Sequence, residues 1–221
     1  MEHLPPIPGL IRRDPGHQYW LHDRPFAVSV TGVLRVQKTD YAMARIQATQ
    51  AIWAPRGHGT HRAMELHLAN RFHLPLDSAG EQPAESQAEL FTLRSGSYAD
   101  WIEPVLTLPL WDQVQVIASE RATCCVRRGV AGTYDVAYQG AHGRVLADLK
   151  TLGTPDSHTY CTRAQLGGYM ALEATHGVHY DYGQTIWARP GRCTLSELYS
   201  RSECLAAWAA VWTWYQARQV V

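Results

Sequence analysis

The chain has 221 residues and an apolar fraction of 46%, which suffices for one domain with a sizeable hydrophobic core. Its 20 basic and 20 acidic residues give a formal net charge of zero, so a molecule-wide positive field that recruits nucleic acid is excluded. Five cysteines without paired spacing, no signal-peptide pattern and no apolar run of ~20 residues predict a soluble protein of the cytoplasm (the host cytoplasm if the chain is viral) that has no membrane partner.

The N-terminal segment is predicted to be an arm. Short apolar pieces alternate with Pro, Gly and charged residues, which is typical of a β-hairpin or an extended segment within about residues 1–40. Ser29 and Thr31 are potential caps of a short helix over residues 32–37.

Helices and a loop are predicted next. Apolar residues at helical spacing from 41 to 72 predict two helices, separated at Pro55 and the Gly57–Gly59 segment, with the second beginning near Gly59 or Thr60. The polar run 75–88 lacks periodicity and predicts a surface loop.

The second half alternates strands and helices. After a short helix around residues 98–102, apolar runs predict four strands, over 114–120, 124–130, 132–138 and 144–151. Three more elements follow: a helix over 162–176, a strand over 182–188 and a terminal helix over about 202–219, capped by Ser202. The order predicts an α/β fold in one domain over 1–221, with a mixed central β-sheet flanked by helices.

The predicted hairpin 130–151 carries the most unusual residues. Asp135 and Asp148 interrupt apolar strands, where aspartate is disfavoured, and Lys150 lies on the same strand face as Asp148. Two carboxylates on paired strands can bind a divalent cation, and a lysine beside them can offset charge in phosphodiester hydrolysis. An ordinary surface hairpin with an Asp–Lys pair is the alternative at this point.

Further polar residues precede and follow the hairpin. His61 and Glu65 are four residues apart and share one helix face, as do Gln165 and Tyr169 on the helix after the second strand. Glu120 ends the strand before the hairpin.

Together these residues resemble the PD-(D/E)XK nuclease superfamily, within its RecB-type branch of phage exonucleases, mitochondrial genome-maintenance exonucleases and CRISPR-associated adaptation nucleases. The motifs run in the family's order as Gly57/His61/Glu65, Glu120, Gly132–Asp135, Asp148-Leu149-Lys150-Thr151 and Gln165/Tyr169. The resemblance spans residues 57 to 169 and implies a restriction-endonuclease-like core.

The resemblance also implies residue roles. It implies that Mg²⁺ (or Mn²⁺) is bound by His61, Asp135, Asp148 and the backbone carbonyl of Leu149. The catalytic residues it implies are Asp135, Asp148, Lys150, Glu120, Gln165 and Tyr169. Glu65 is expected to orient His61 or Lys150, and Arg56 and Arg163, with Gln165 and Tyr169, are expected to contact the substrate.

The function implied is a metal-dependent DNA exonuclease that acts on single- or double-stranded ends in phage or mobile-element recombination, beside a single-strand annealing protein. A structure-specific or restriction-like endonuclease is an alternative with the same site. A non-catalytic nucleic-acid-binding module on the same fold is an alternative of another class. Both a homo-oligomer that threads DNA and a monomer are compatible with the sequence.

Overall fold

The computed structural model describes residues 3–13, 18–76 and 83–219. Within them a mixed β-sheet with helices on both faces forms an α/β core, which confirms the predicted fold class. The strands are β1 (Leu10–Arg13), β2 (Gln18–Leu21), β3 (Arg24–Pro25), β4 (Val28–Ser29), β5 (Gln115–Cys125), β6 (Val130–Gly140), β7 (Gly143–Thr151), β8 (Tyr182–Arg189), β9 (Arg192–Leu195) and β10 (Tyr199–Ser200). The α-helices are α1 (Val30–Leu34), α2 (Asp40–Ala48), α3 (Gln50–Phe72), α4 (Pro83–Ser95), α5 (Ala99–Leu106), α6 (Arg163–Glu173) and α7 (Arg201–Gln219).

Strand β6 lies at the centre of the sheet. Strand β5 runs antiparallel along one edge of β6 over almost its whole length. On the other edge, β7 pairs antiparallel with residues 136–140 of β6, whereas β4 pairs in parallel with residues 130–131. Among the described residues, 132–135 have no strand partner on that edge, so the sheet opens there.

The remaining strands extend the sheet and add a small second one. Strand β8 pairs in parallel with β7, and both β9 and β10 pair antiparallel with β8. Strands β1 to β3 form a separate antiparallel sheet, which agrees with the predicted N-terminal hairpin. The Tyr19 hydroxyl donates a hydrogen bond to Thr133 Oγ1 (3.0 Å), which ties this small sheet to β6.

Each face of the main sheet is covered by its own helices. Helices α1, α6 and α7 bury Val30, Leu166 and Trp208 on one face. Helices α3 and α5 bury Met64 and Val105 on the opposite face. Both helix layers reach the sheet through apolar side chains, so burial fixes where the polar residues of α3 and α6 lie.

The break between the first two long helices is at Thr49, and the predicted break at Pro55 and Gly57–Gly59 is wrong. Helix α3 continues through all three residues. Its C-terminal half places apolar side chains in the core, and this burial outweighs the intrinsic helix-breaking preference of Pro and Gly.

Part of the predicted loop 75–88 is helical, because α4 begins at Pro83, while residues 77–82 lie outside the described part of the chain. Proline is favoured in the first turn of a helix, where its missing N–H costs nothing. Leu90 and Leu93 of α4 then pack beside Ala63 and Ile102.

The strands predicted over 114–120 and 124–130 are one strand, β5. The ladder with β6 continues through Glu120 and Arg121 after a register shift between Val116 and Ala118. The two charged residues hid this continuity in the sequence, because a strand interior is expected to be apolar.

The C-terminal elements agree with the sequence except in one cap. The predicted helix 162–176 is α6 with a final 3₁₀ turn, and the strand 182–188 is β8. Helix α7 begins before the predicted cap Ser202. Ser200 Oγ accepts from the Glu203 N–H (3.3 Å), and Glu203 Oε2 accepts from the Ser200 N–H (2.8 Å), a reciprocal capping box.

No helix among the described residues is both long and apolar enough to cross a membrane.

Candidate active site

Three carboxylates lie in a row across neighbouring strands, where the sheet opens. Ser119 lies opposite Val136 and Arg121 opposite Tyr134, so Glu120 of β5 lies opposite Asp135 of β6. The pairing of β6 with β7 ends at Val136 and Ala147, so Asp135 and Asp148 are the next residues of the two strands, side by side where the sheet opens.

Glu120 has an unusual backbone. Its φ is 45°, in the left-handed region that is uncommon for a residue other than glycine. It is the one such residue that lies inside a strand of the described chain. The conformation occurs where β5 passes the open part of the sheet, and it accompanies a carboxylate that is nearly buried, with 14% of its side chain exposed.

Helix α3, which covers one face of the main sheet, brings His61 to these carboxylates. His61 Nδ1 lies 3.1 Å from Asp135 Oδ1 and 3.6 Å from Glu120 Oε1. One ligand atom from each of the three residues lies within 4.8 Å of the others. The helix that the sequence divides at Gly57–Gly59 is continuous, so His61 lies in the middle of α3 and its position follows from the packing of that helix on the sheet.

The backbone of β7 holds the second oxygen of Asp135. The Leu149 N–H donates to Asp135 Oδ2 at 2.5 Å. Since the N–H and C=O of one strand residue point to the same side, the Leu149 carbonyl also faces the opening beside Asp135. The Leu149 carbonyl oxygen, a predicted metal ligand, therefore lies on the same side of β7 as the Asp135 carboxylate.

Asp148 connects to the remaining motif residues. Its Oδ2 forms an ion pair with Lys150 Nζ, and its Oδ1 accepts a hydrogen bond from Gln165 Nε2 (2.8 Å). The same amide nitrogen lies 3.3 Å from the Tyr169 hydroxyl, to which it donates. Tyr169 packs against Gly132, where an added Cβ would lie 2.8 Å from the ring, so the glycine permits this close approach.

Burial and mutual charge set the ionisation of the cluster. Burial alone would lower the pKa of His61, but the Asp135 and Glu120 carboxylates outweigh it and raise that pKa to about 10; water screens part of this attraction, because 31% of the side chain is exposed. Burial raises the pKa of Glu120 to about 7 and that of Asp148 to about 6, although His61 and Lys150 respectively oppose these shifts.

Lys150 remains a cation at neutral pH. Burial alone would lower its pKa, but the Asp148 and Asp135 carboxylates raise it above the ordinary value. Burial would likewise raise the pKa of Asp135, yet His61 and Lys150 hold it below its usual range. The cluster therefore favours an anionic Asp135 and a protonated Lys150, each stabilised by the charge of the other.

The donor set fits a hard divalent cation. Carboxylate and carbonyl oxygens suit Mg²⁺ or Mn²⁺, and the His61 nitrogen can join them once the metal displaces the proton that the two carboxylates stabilise. Glu120 Oε1 is buried and, apart from its ion pair of 3.6 Å with His61 Nδ1, has no hydrogen-bond partner among the described residues, so it has lone pairs left for a cation. His61, Glu120 and Asp135 form the tight group, and Asp148 is outside it but near enough for the charges of Asp135 and His61 to act on its carboxyl.

Three other predicted residues are placed differently. Glu65 binds Arg62 through an ion pair of 2.9 Å between its Oε2 and Arg62 Nη1, so its nearest partner is neither His61 nor Lys150. Arg56 is buried beneath Trp101, with its guanidinium 5.3 Å from the ring centre. An added Cβ on Gly153 would lie 3.8 Å from Arg56 Nη1, so Arg56 reaches the segment that follows β7.

Arg163 is directed away from the carboxylate row. Its guanidinium lies 3.4 Å from Glu197 and 4.0 Å from Glu203, and it stacks over Tyr199 at 4.6 Å. These carboxylates offset its charge, so the structure provides less support for a phosphate contact here than the sequence position suggested.

Two residues near the site belong to none of the sequence motifs. Tyr160 lies in the polar segment between β7 and α6, and its ring packs edge-on to Trp187 at 5.0 Å. Lys38 lies close enough to Lys150 for the ammonium charge to help lower the Lys38 pKa, after the larger effect of burial. An aromatic residue in a polar segment directly after the D-x-K strand is the only sequence signal for Tyr160.

Comparisons with known proteins give no family. No family model matches the chain, and no curated protein matches it. Among solved structures, the chain is similar to the crystal structure of SSO0001, with 12% identity and a TM-score of 0.33 over 69% of this chain and 73% of that one.

Proposed function

We propose that this protein is a divalent-metal-dependent DNA nuclease that hydrolyses phosphodiester bonds and degrades DNA from an end. One observation carries the proposal: the row Glu120, Asp135 and Asp148 lies at an opening of the sheet with His61 and Lys150 beside it. Carboxylates that converge with an imidazole and a lysine suit hydrolysis of a phosphate ester, whose transition state gathers negative charge.

A cation at this site would be held by His61, Glu120 and Asp135, with Asp148 and the Leu149 carbonyl at its edge. When bound, Mg²⁺ or Mn²⁺ supplies positive charge that draws a phosphate towards the carboxylates and promotes ionisation of water.

The protein's own groups provide orientation and charge. The Leu149 N–H fixes one oxygen of Asp135 and leaves the other facing His61. The Gln165 amide fixes one oxygen of Asp148, so the second oxygen meets Lys150. Because Lys150 stays protonated, it serves as a cation that stabilises charge on the phosphate oxygens rather than as a base.

Variants of Asp148 and Lys150 that keep the size of the side chain but remove its charge test the proposal. Asp148→Asn and Lys150→Met should lower Mg²⁺- or Mn²⁺-dependent cleavage of a linear DNA by at least about a hundredfold, the loss typical of one electrostatic transition-state group. Arg94→Ala is the control, because it removes an exposed ion pair with Glu103 on the far helices α4 and α5 and should leave cleavage intact. Full activity in either site variant would refute the site assignment.

The topology of the substrate separates exonuclease from endonuclease activity. An exonuclease should degrade linear single- or double-stranded DNA and leave covalently closed circles intact. EDTA should abolish the degradation of the linear DNA. Rapid nicking of circles would assign the endonuclease alternative, and DNA binding without cleavage in any divalent metal would assign the non-catalytic one. A role in phage or mobile-element recombination beside an annealing protein is part of the same proposal, based on the motif resemblance.

A further inference from the structure

The segment between β7 and α6 packs against β8, the strand beside the one that carries Asp148 and Lys150, and it has one exposed aromatic side chain. Tyr160 keeps 54% of its surface exposed although it lies next to the buried Trp187. Trp187 is the neighbour of Lys150 across the parallel pairing of β7 and β8. Residues opposite each other in such a pair face the same side of the sheet, so Tyr160 lies above the strand position beside the lysine.

Hydrogen bonds hold this segment in place. Arg189 donates from Nε (3.3 Å) and Nη2 (3.1 Å) to the Ser157 carbonyl, and Arg192 donates to the Pro155 carbonyl (3.2 Å). At the far end, Thr162 Oγ1 lies 2.5 Å from Thr185 Oγ1. The segment is thus anchored on both sides of Tyr160, and the ring position is set before any ligand arrives.

The contact with Thr185 also places the segment relative to Asp148 and Lys150. Thr185 is the partner of Asp148 across β7 and β8, as Trp187 is the partner of Lys150. Tyr160 lies two residues before Thr162, so the segment around it runs over the β8 neighbours of Asp148 and Lys150. The charges of both residues act on the Tyr160 hydroxyl, which agrees with this placement.

Positive charge lies near the same edge. Lys38 and Arg35 are exposed at the end of the segment that follows α1, and Lys38 is close to Lys150. An exposed ring near Lys150, with Lys38 also close to that lysine, gives a base a face to stack on and the backbone phosphates cations to contact.

We infer that Tyr160 stacks on the base of the nucleotide next to the phosphate that is cut, and that the strand in the site is therefore unpaired at that point. This inference rests on the proposed nuclease function and names its substrate class: single-stranded DNA or a frayed duplex end. A base within an intact duplex has both faces covered by its neighbours, so it cannot present a face to Tyr160 without unstacking.

The main alternative is that Tyr160 only shields Trp187 from water. Shielding and stacking both need the ring, but only stacking depends on a base in the substrate. An abasic oligonucleotide distinguishes them, because it keeps the phosphates and removes the group on which the ring would stack.

The first test measures equilibrium binding in EDTA, independently of cleavage. A labelled 20-nucleotide dT strand should bind Tyr160→Ala about 5- to 100-fold more weakly than the wild type, while Tyr160→Phe should stay within about threefold because it keeps the ring. The wild type should bind an abasic strand about as weakly as Tyr160→Ala does, and the variant should lose little further affinity on it. Phe91→Ala, which removes another exposed aromatic ring on α4, should bind as the wild type.

The second test measures cleavage of the same strand and of a blunt hairpin duplex. The wild type should prefer the single strand, and Tyr160→Ala should raise KM for it more than it lowers kcat. Equal affinity of wild type and Tyr160→Ala for the dT strand, or an equal loss on the abasic strand, would overturn the inference while leaving the nuclease proposal intact. If the wild type cleaves no DNA with Mg²⁺ or Mn²⁺, the nuclease proposal fails, and this inference fails with it. Should Tyr160→Ala fold poorly, the comparison of dT and abasic strands on the wild type decides the question alone.

Discussion

Gly167→Ala should destabilise the protein strongly, because α6 and α7 meet at this residue. A Cβ built on Gly167 would lie 1.9 Å from the Cys204 carbonyl oxygen and 3.0 Å from Trp208 Cβ. Real Cβ atoms essentially never approach other heavy atoms within 3.0 Å, so the two backbones would have to separate by about 1.1 Å, the difference between 3.0 and 1.9 Å.

The expected magnitude follows from two opposing effects. Alanine in place of glycine within a helix contributes about 1 kcal/mol of stability through helix propensity. Forced separation of packed helices costs about 1–3 kcal/mol and often more when backbone must move, and here the contact is with a carbonyl rather than a flexible side chain. We therefore expect a net loss of about 2 kcal/mol or more, which lowers the Tm of a chain of this length by roughly 4–8 °C.

Thermal unfolding followed by circular dichroism measures this effect, and Gly59→Ala is the matched control. Gly59 also lies inside a helix, α3, but its added Cβ would meet Tyr98 Cδ2 at 3.5 Å, an ordinary contact. The control should therefore keep or raise the Tm by a few degrees. A Gly167→Ala protein that melts at or above the wild-type temperature would contradict the close crossing of α6 and α7.

Three further predictions concern the site and the core. His61→Ala should weaken Mn²⁺ binding by at least about tenfold in calorimetry, whereas His58→Ala on the exposed side of the same helix should not; equal affinities would remove His61 from the ligand set. Glu173→Gln should lower the free energy of unfolding in urea by about 3–5 kcal/mol, because it leaves the Arg121 charge buried without its carboxylate (Nε to Oε1, 3.3 Å); a loss under about 1 kcal/mol would show that water reaches the pair. Ellman's reagent should label about one thiol rapidly in the native protein, that of exposed Cys161, since the other four cysteines are at least partly buried, and several fast thiols would contradict that burial.

The site residues that sequence could indicate share a local signature. Asp148 and Lys150 stand two apart on a strand, and Gln165 and Tyr169 stand four apart on a helix, so each pair shares a face whatever the rest of the fold does. The hairpin β6–β7 and helix α6 follow the same logic, because strand alternation and helical spacing are set by neighbours in sequence. These elements are where prediction and structure agree.

Sequence alone failed where partners are distant in the chain. It divided β5 at Glu120 and α3 at Pro55, because a charged pair and a helix breaker are unfavourable locally and become tolerable only through strand pairing and core packing. The role of Glu65 stays a prediction, because its carboxylate pairs with Arg62 while its charge also acts on Glu120.

By itself, the sequence therefore determined that two aspartates and a lysine lie on paired strands, with a Gln/Tyr helix following them. Only the tertiary structure decided that Glu120 aligns with Asp135, that His61 reaches both, and that Tyr160 lies over the neighbour of Lys150. The physical reason is register: local chemistry sets which face a side chain takes, but the alignment of separate strands and helices depends on how the whole core packs.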